Sequence, residues 1–288
     1  MDLIYRYDPF APIVIERPTD PASAVHALLD GNRRLIHMVR QMQMATLGDE
    51  MPSETIVPVN PVSMGLPFWP GAALDQKPFA MVLGCSDARV PLESVFDQAF
   101  NGMFVVRVAG NVLGTEGLGS FDYAVRHLGH SLQVVVVMGH TGCGAVTAAV
   151  DTYLAPNEYA DIAYTHALRT LVGRVMFAVR GAAKTIDRRC GHQIHTHPDY
   201  RAALIDVAVY LNAAINAFDL CRQIKAAGNA PLAVYYCVCD LKSMIVSAMP
   251  VTSDDAEPEL RPAPKDSHEL VDLGGEFLDA LIAGGLLA

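Results

Sequence analysis

The sequence lacks any run of 18 consecutive apolar residues, the length that a membrane-spanning helix requires. Its most apolar stretch, LQVVVVMG at 132–139, has the length of a β-strand. The first ten residues, MDLIYRYDPF, contain neither a basic segment nor a long apolar segment, so we expect no secretory signal peptide. These absences predict a soluble, cytoplasmic protein that does not associate with a membrane.

Positive charge is also scarce. The chain has 21 Lys and Arg against 31 Asp and Glu, which leaves a formal net charge of −10 at pH 7. A surface of this sign argues against nucleic acid and anionic lipid as partners. Charged residues make up only 18% of the chain and apolar residues 51%. This excess of apolar side chains predicts extra buried surface, such as a subunit interface.

Short apolar runs alternate with helical patterns through the middle of the chain. Runs typical of buried strands occupy 79–84, 103–108, 132–139 and 231–238, and a shorter edge strand is predicted within 242–246. Apolar stripes typical of helices occupy 117–129, 144–154 and roughly 200–227. The alternation predicts an α/β fold, with a mostly parallel sheet of four to five strands flanked by helices.

We divide the chain into three parts. Residues 1–75 are predicted to form an N-terminal helical arm, irregular over its first 20 residues and followed by a Pro- and Gly-rich connection. Residues 76–250 form the α/β domain, interrupted by a helical and loop insertion over 155–198. Residues 251–288 form a charged linker and a helical tail, which we expect to dock on the body or on a partner subunit.

Three potential metal ligands follow the ends of two predicted strands. Cys85 comes directly after the first strand, His140 comes directly after the third, and Cys143 lies three residues further on. The carboxyl ends of parallel strands meet at one edge of a sheet, so these side chains converge if the two strands are neighbours. Two thiolates and one imidazole would leave a fourth position open, which is typical of a catalytic zinc site. The structural alternatives are buried core thiols and a hydrogen-bonded loop histidine.

Asp87 and Arg89 favour the metal site over those alternatives. A carboxylate beside a bound metal either coordinates it or accepts a hydrogen bond from a water molecule on it. Arg89 can pair with both oxygens of Asp87 and hold it in the second role. The alternative, an ordinary surface ion pair, does not suit a pair attached to a buried strand end.

The segments CSDARV at 85–90 and GHTGCGAV at 139–146 resemble the hallmark Cys-x-Asp-x-Arg and His-x-x-Cys motifs of the β-class carbonic anhydrases. The resemblance covers roughly 22–40, 76–154 and 200–246. It implies three zinc ligands and a catalytic dyad, namely Cys85, His140 and Cys143 for Zn²⁺ and Asp87 with Arg89 for the dyad.

The same resemblance implies a substrate site and an assembly. Gln76 would contact a substrate oxygen, and Phe104 and Tyr123 would line an apolar pocket. Gly144 would offer a backbone N–H to bicarbonate. The family is built on dimers, so the resemblance also implies a homodimer or a dimer of dimers.

The implied activity is that of a carbonate dehydratase, the reversible hydration of carbon dioxide to bicarbonate and a proton by a zinc-bound hydroxide. Two alternatives stay open: hydrolysis of carbonyl sulfide or carbon disulfide at the same site, and a non-catalytic protein that binds zinc or bicarbonate. Two thiolates neutralise the charge of Zn²⁺, so the metal acidifies its water less than it would among three neutral imidazoles. We therefore expect activity to require neutral to alkaline pH.

One further cluster lies in the insertion. The segment GHQIHTHPD at 191–199 holds His192, His195 and His197. A second metal site is conceivable there, but we expect a solvated loop.

Overall fold

The computed structural model describes residues 2–7, 17–47, 54–59, 71, 73–226, 232–253 and 255–287. The strands in these residues are β1 (Asp2–Tyr7), β2 (Glu54–Val59), β3 (Ala80–Gly84), β4 (Met103–Arg107), β5 (Val134–His140), β6 (Ala233–Cys239), β7 (Val246–Ser247) and β8 (Arg261–Pro262). The helices are α1 (Pro21–Leu47), α2 (Leu92–Val95), α3 (Thr115–Leu128), α4 (Gly144–Leu154), α5 (Tyr159–Ile162), α6 (His166–Cys190), α7 (Tyr200–Ala226) and α8 (Ser267–Ala283).

The main sheet has the strand order β4-β3-β5-β6-β7, and β8 also pairs with β6. The pairs β3–β4, β3–β5 and β5–β6 are parallel, whereas β7 and β8 run antiparallel to β6. The predicted α/β fold with a mostly parallel sheet is therefore confirmed. The described residues contribute six strands to this sheet instead of four to five, because two residues of the predicted linker, Arg261 and Pro262, pair with β6.

Strand β5 lies at the centre of the sheet and is buried along its whole length. Successive side chains of a strand point to opposite faces. Val135 and Val137 accordingly pack in a core formed with α3, α4, α6, α7 and α8, and Val134 and Val136 pack in a second core with α1 and α2. Both faces are covered by helices, and this explains why the sequence of β5 shows no alternation of apolar and polar residues.

Helix α7 packs against α6, β5 and β6. By length and composition alone it is apolar enough to cross a membrane. However, 67% of its most apolar 18-residue window is buried inside the protein. It is thus the central helix of a packed core, which explains why it is apolar nearly all round.

The N-terminal arm contains more regular structure than predicted. Helix α1 packs beside α2, where Asn32 donates to the backbone carbonyls of Val95 (3.0 Å) and Met244 (2.9 Å). Strand β1 pairs in parallel with β2, so the prediction of an irregular start is wrong for residues 2–7. The partner of β1 lies about fifty residues away, and a pairing of this kind leaves no local sequence signal. Most of the predicted connection over 45–75 lies outside the described residues.

The tail helix α8 packs on α6 and α7 of its own chain. Asp266 caps it by accepting hydrogen bonds from the backbone N–H groups of His268 (2.8 Å) and Glu269 (3.0 Å). Phe277 is fully buried, and its ring centroid lies 5.3 Å from that of Tyr210. Of the two docking sites expected for the tail, the structure shows the body of the same chain.

Candidate metal centre

Strands β3 and β5 are neighbours in register, with Gly84 opposite Met138. Cys85 therefore leaves β3 at the sheet edge where His140 ends β5. Cys143 follows in the turn that leads into α4, so all three side chains converge at one edge of the sheet. Their potential ligand atoms lie within 4.8 Å of one another, and all three residues are buried. The sequence predicted this convergence from the strand ends, and the Cys-His-Cys group fits a metal site.

The imidazole of His140 is oriented for a ligand. Its Nδ1 lies 3.0 Å from the carbonyl oxygen of Thr141, a contact in which the ring nitrogen donates. The lone pair then resides on Nε2, which is buried and has no hydrogen-bond partner among the described residues. A buried polar atom without a partner is costly, and a metal ion bound between His140 and the two cysteines satisfies it.

The two thiols favour a bound cation. Hydrogen bonding from Cys143 lowers the pKa of Cys85, and the backbone N–H of Gly110 also donates to its sulfur at 3.3 Å. The pKa of Cys143 is raised because its proton is held by the hydrogen bond to Cys85 and because the thiol is buried. A second negative charge beside the first is thus disfavoured unless a cation joins the pair.

Asp87 lies at the rim of this group and is held by Arg89. The arginine donates from Nε to Oδ1 (3.0 Å) and from Nη2 to Oδ2 (2.7 Å), and its backbone N–H donates to Oδ1 (2.9 Å). These bonds hold the pKa of Asp87 well below its ordinary value, so the carboxylate is ionised at neutral pH. Its Oδ2 is 3.8 Å from Nε2 of His140.

Arg107, the last residue of β4, supports the same loop and was missed by the sequence analysis. It donates to the carbonyl oxygens of Cys85 (Nε, 3.0 Å) and Asp87 (Nη2, 2.6 Å). The guanidinium therefore fixes the backbone on both sides of Ser86. In the sequence, Arg107 is simply a polar residue in a strand pattern, and its role depends on the pairing of β3 with β4.

A second supporting contact comes from α7. Asn212 is buried and donates to the carbonyl oxygen of Gly110 at 2.8 Å, and the N–H of the same glycine contacts the sulfur of Cys85. Asn216, one turn later, donates to the backbone carbonyl of Asn212 (2.8 Å). The available signal was a pair of amides four residues apart within residues 207–217 of α7, a stretch that is otherwise apolar.

The four residues predicted to bind substrate occupy different places. Gly144 is the first residue of α4 and directly follows Cys143, so its N–H has no partner within the helix. Phe104 is partly buried in β4, beside Met81 of β3. Tyr123 is 51% exposed on α3, where its ring packs on His127. None of these positions tests the predicted roles.

Gln76 lies at the other end of the strands. Its neighbours are anchored by Asn101, whose side chain accepts from the N–H of Lys77 (2.9 Å) and donates to the carbonyl of Asp75 (2.8 Å). Gln76 itself lines a cavity of about 500 Å³ with Met103, the first residue of β4. The five residues of β3, spanning about 16 Å at the usual strand rise, separate this cavity from Cys85.

A cavity of about 750 Å³ adjoins the rim of the metal centre. Arg89, Thr141 and Gly142 form its wall on that side, and Asp206 and Lys242 add further charge. The cavity gives solvent and small molecules a polar approach to the Asp87–Arg89 pair.

Comparison with known proteins identifies the family. A family model described as carbonic anhydrase matches residues 80–195. Carbonic anhydrase 2 of Mycobacterium tuberculosis is 36% identical over 160 residues, which is 54% of this chain and 67% of that protein. A carbonic anhydrase of Mycolicibacterium smegmatis is 38% identical over 132 residues, covering 46% of this chain and 54% of that protein.

Solved structures of low identity also match. The Coccomyxa β-carbonic anhydrase in complex with acetazolamide is 23% identical, with a TM-score of 0.44 over 60% of this chain and 72% of that one. A tetrameric β-carbonic anhydrase of Sordaria macrospora is 20% identical, with a TM-score of 0.45 over 60% of this chain and 81% of that one. The sequence relatives and the family model decide the matter: the chain belongs to the β-class carbonic anhydrase family, whose members are carbonate dehydratases.

Proposed function

We propose that this chain binds Zn²⁺ through Cys85, His140 and Cys143 and catalyses the reversible hydration of carbon dioxide to bicarbonate and a proton. One observation carries the proposal. Asp87 is ionised, is held by Arg89, and stands at the rim of the buried Cys-His-Cys group, 3.8 Å from Nε2 of His140. A site that only stores a metal has no need of a carboxylate fixed in this position.

The donor set favours zinc among the common metals. Two sulfurs and one imidazole nitrogen suit Zn²⁺, whereas Mg²⁺ and Ca²⁺ prefer oxygen ligands. Two thiolates also balance the charge of a divalent ion. When bound, Zn²⁺ supplies acidity to a water molecule, so that a nucleophile is available near neutral pH.

Asp87 orients the attacking water. A carboxylate accepts hydrogen bonds only, so it takes an O–H of the water and directs an oxygen lone pair away from itself, toward the substrate carbon. Arg89 keeps both carboxylate oxygens in place and also contacts the carbonyl oxygen of Gly142 (3.4 Å). We propose that this pairing keeps Asp87 from becoming a fourth metal ligand.

One chain supplies only part of the proposed substrate pocket. Carbon dioxide is linear and apolar, and Phe104 and Tyr123 are the proposed apolar wall. The free N–H of Gly144 at the start of α4 suits the negative charge that bicarbonate carries. Gln76 lies at the far end of β3, so its proposed contact with a substrate oxygen requires a second copy of the chain, in keeping with a homodimer or a dimer of dimers.

The proposal is tested by stopped-flow measurement of CO2 hydration with zinc-loaded protein and three variants. Cys85→Ser should lose metal and activity together. Asp87→Asn should keep the metal and lose activity by about 100-fold, the usual contribution of a positioned acid–base group. Asp122→Asn, an exposed carboxylate change on α3, should behave as the native protein. A fully active Asp87→Asn variant would show that the carboxylate has no role.

The same samples separate the alternative activities. Release of sulfide from carbonyl sulfide or carbon disulfide, without hydration of CO2, would replace the proposed substrate. Bound zinc with neither activity would indicate a binding protein.

A further inference from the structure

A second group of potential metal ligands lies at the surface, between α6 and α7. Nitrogen atoms of His192 and His195 and a carboxylate oxygen of Asp187 all lie within 4.8 Å of one another. Nε2 of His195 is 2.5 Å from Oδ1 of Asp187, and Nδ1 of His192 is 3.9 Å from Oδ2. Both imidazoles therefore approach the same carboxylate, one from each oxygen.

The structure changes the composition of the histidine cluster that the sequence shows. Asp187 joins it because it lies in the last turn of α6, which continues to Cys190. His197 turns away, and its Nδ1 accepts from the backbone N–H of Asp199 at 3.2 Å. Two histidines and an aspartate form the group, and the third histidine serves as an internal control.

The backbone that carries the group is ordered by its own hydrogen bonds. Gly191 donates to the carbonyl of Asp187 (2.9 Å), and residues 192–196 form a 3₁₀ turn. Ile194 packs against the main core, and the ring of Tyr200 lies 4.7 Å from that of His195. The two histidines are thus presented by a short turn that is fixed at both ends, which lowers the entropy cost of binding an ion.

The two arginines that follow Asp187 in α6 contact other residues. Arg189 pairs with Asp279 of α8 at 2.9 Å. Arg188 lines a small groove with Leu211 of α7 and Leu270 of α8. Neither interaction involves the carboxylate of Asp187.

We propose that Asp187, His192 and His195 form a second metal site, which binds a divalent transition-metal ion independently of the Cys-His-Cys centre. Two imidazoles and one carboxylate suit Zn²⁺, Co²⁺ or Ni²⁺, whereas Mg²⁺ and Ca²⁺ call for oxygen ligands. Metal–ligand bonds of about 2.0–2.1 Å in a tetrahedron place ligand atoms about 3.3 Å apart. The spacings to the two carboxylate oxygens, 2.5 and 3.9 Å, lie on either side of that value, and all the potential ligand atoms lie within 4.8 Å of one another, so the side chains have to adjust around the ion rather than refold.

The group is exposed, so water can fill the remaining coordination positions. The ion replaces the hydrogen bond between His195 and Asp187 and links the end of α6 to the turn before α7. Binding to the folded protein alone raises the melting temperature, and this gives a readout that does not depend on enzymatic activity.

The test is the stoichiometry of Co²⁺ bound after equilibrium dialysis, measured by elemental analysis on native protein and three variants. We expect two ions per chain in the native protein and in His197→Ala, and one ion in His192→Ala and in His195→Gln. His195→Gln retains a hydrogen-bonding side chain beside Asp187, so a lost ion is not explained by lost folding. The ion retained should show the near-ultraviolet charge-transfer absorption of thiolate ligands, and the ion lost should not.

The second measurement of this test is the melting temperature. With the Cys-His-Cys centre already loaded, added Co²⁺ should raise it in the native protein and in His197→Ala but not in His195→Gln. A single ion per chain in the native protein that carries the thiolate absorption overturns the proposal, as does a second ion that His195→Gln retains or His197→Ala loses.

Discussion

Arg89 and Asp87 form the side-chain pair on which the chemistry of the rim depends. Two charge-assisted hydrogen bonds hold the carboxylate, lower its pKa and leave it ionised. The ionised carboxylate lies close to the ligand set, since its Oδ2 is 3.8 Å from Nε2 of His140. The position of this carboxylate therefore decides between two roles. It would either accept a hydrogen bond from the attacking water or coordinate the metal in place of that water.

Replacing Arg89 should separate these two roles. In Arg89→Gln, Asp87 loses both side-chain hydrogen bonds and is free to turn toward the ligand set. We expect CO2 hydration to fall by at least about tenfold while the metal is retained as tightly as in the native protein. Activity is followed by stopped flow and metal affinity by competition with a chelator. Full activity, or a loss of metal like that of Cys85→Ser, would contradict the role given to the arginine.

Arg107 provides a second test at this scale. Arg107→Gln removes the donors to the carbonyl groups of Cys85 and Asp87, so the loop between them loses its support. Hydrogen bonds that hold metal-ligating residues in place typically contribute about 10–100-fold to metal affinity or activity. We expect a loss in that range, measured by chelator competition and stopped flow. Arg126→Gln, a change at an exposed arginine on α3, is the control and should have no effect. If the two variants behave alike, Arg107 does not support the site.

The residues of the site differ in how far the sequence could predict them. Cys85 and His140 stand at the ends of apolar strands, a position that local patterns reveal, and the parallel topology then brings them together. Arg107 and Asn212 act through backbone atoms of other segments, so their roles depend on strand pairing and helix packing. Asp187 lies in the last turn of α6, and the end of a helix is the feature that sequence patterns fix least well.

At the scale of elements, the sheet and its covering helices were predictable and the short or distant pairings were not. The buried run of β5 and the apolar stripe of α3 carry their own signals. The edge strand predicted within 242–246 is β7, which shares only Val246 with that range, and β8 has two residues, too few for any periodicity. Strand β1 depends on β2 for its partner. The close approach of α1 to the end of α2 requires one small residue in α1.

That residue is Gly31, where helix α1 meets the end of α2. A Cβ atom there would overlap the backbone carbonyl of Phe96, so the helix would have to move. We expect Gly31→Ala to lower the free energy of unfolding by about 3 kcal/mol or more. Gly173 is exposed in α6 with open space around it, and Gly173→Ala should raise stability by about 0.5–1 kcal/mol. Urea titrations of both variants check the pair, and a harmless Gly31→Ala would show that α1 does not pack as described.

At the scale of the whole molecule, the far end of the strands is the surface that one chain leaves incomplete. Leu74 and Phe100 are both more than half exposed there, beside Gln76. Apolar side chains of this size in one cavity are typical of an interaction surface. The high apolar content of the sequence predicted an interface, but composition alone does not specify which residues form it.

We expect a homodimer or a dimer of dimers in solution. Sedimentation velocity of the native chain measures this directly. Phe100→Asp should shift the distribution toward smaller species, since it places a charge on the exposed apolar surface, whereas an aspartate at exposed Tyr164 should leave it unchanged. A native protein that sediments as a monomer at all concentrations would contradict the expected assembly.

We propose that the Cys-His-Cys centre with Asp87 hydrates carbon dioxide. The decisive measurement is kcat/KM for CO2 hydration, determined by stopped flow on the zinc-loaded protein from acid to alkaline pH. Two thiolates reduce the acidifying power of the metal, so we predict zinc-dependent activity that rises from neutral toward alkaline pH. No hydration above the rate of the metal-free protein at any pH would contradict the claim, and a flat profile would contradict the role given to the thiolates.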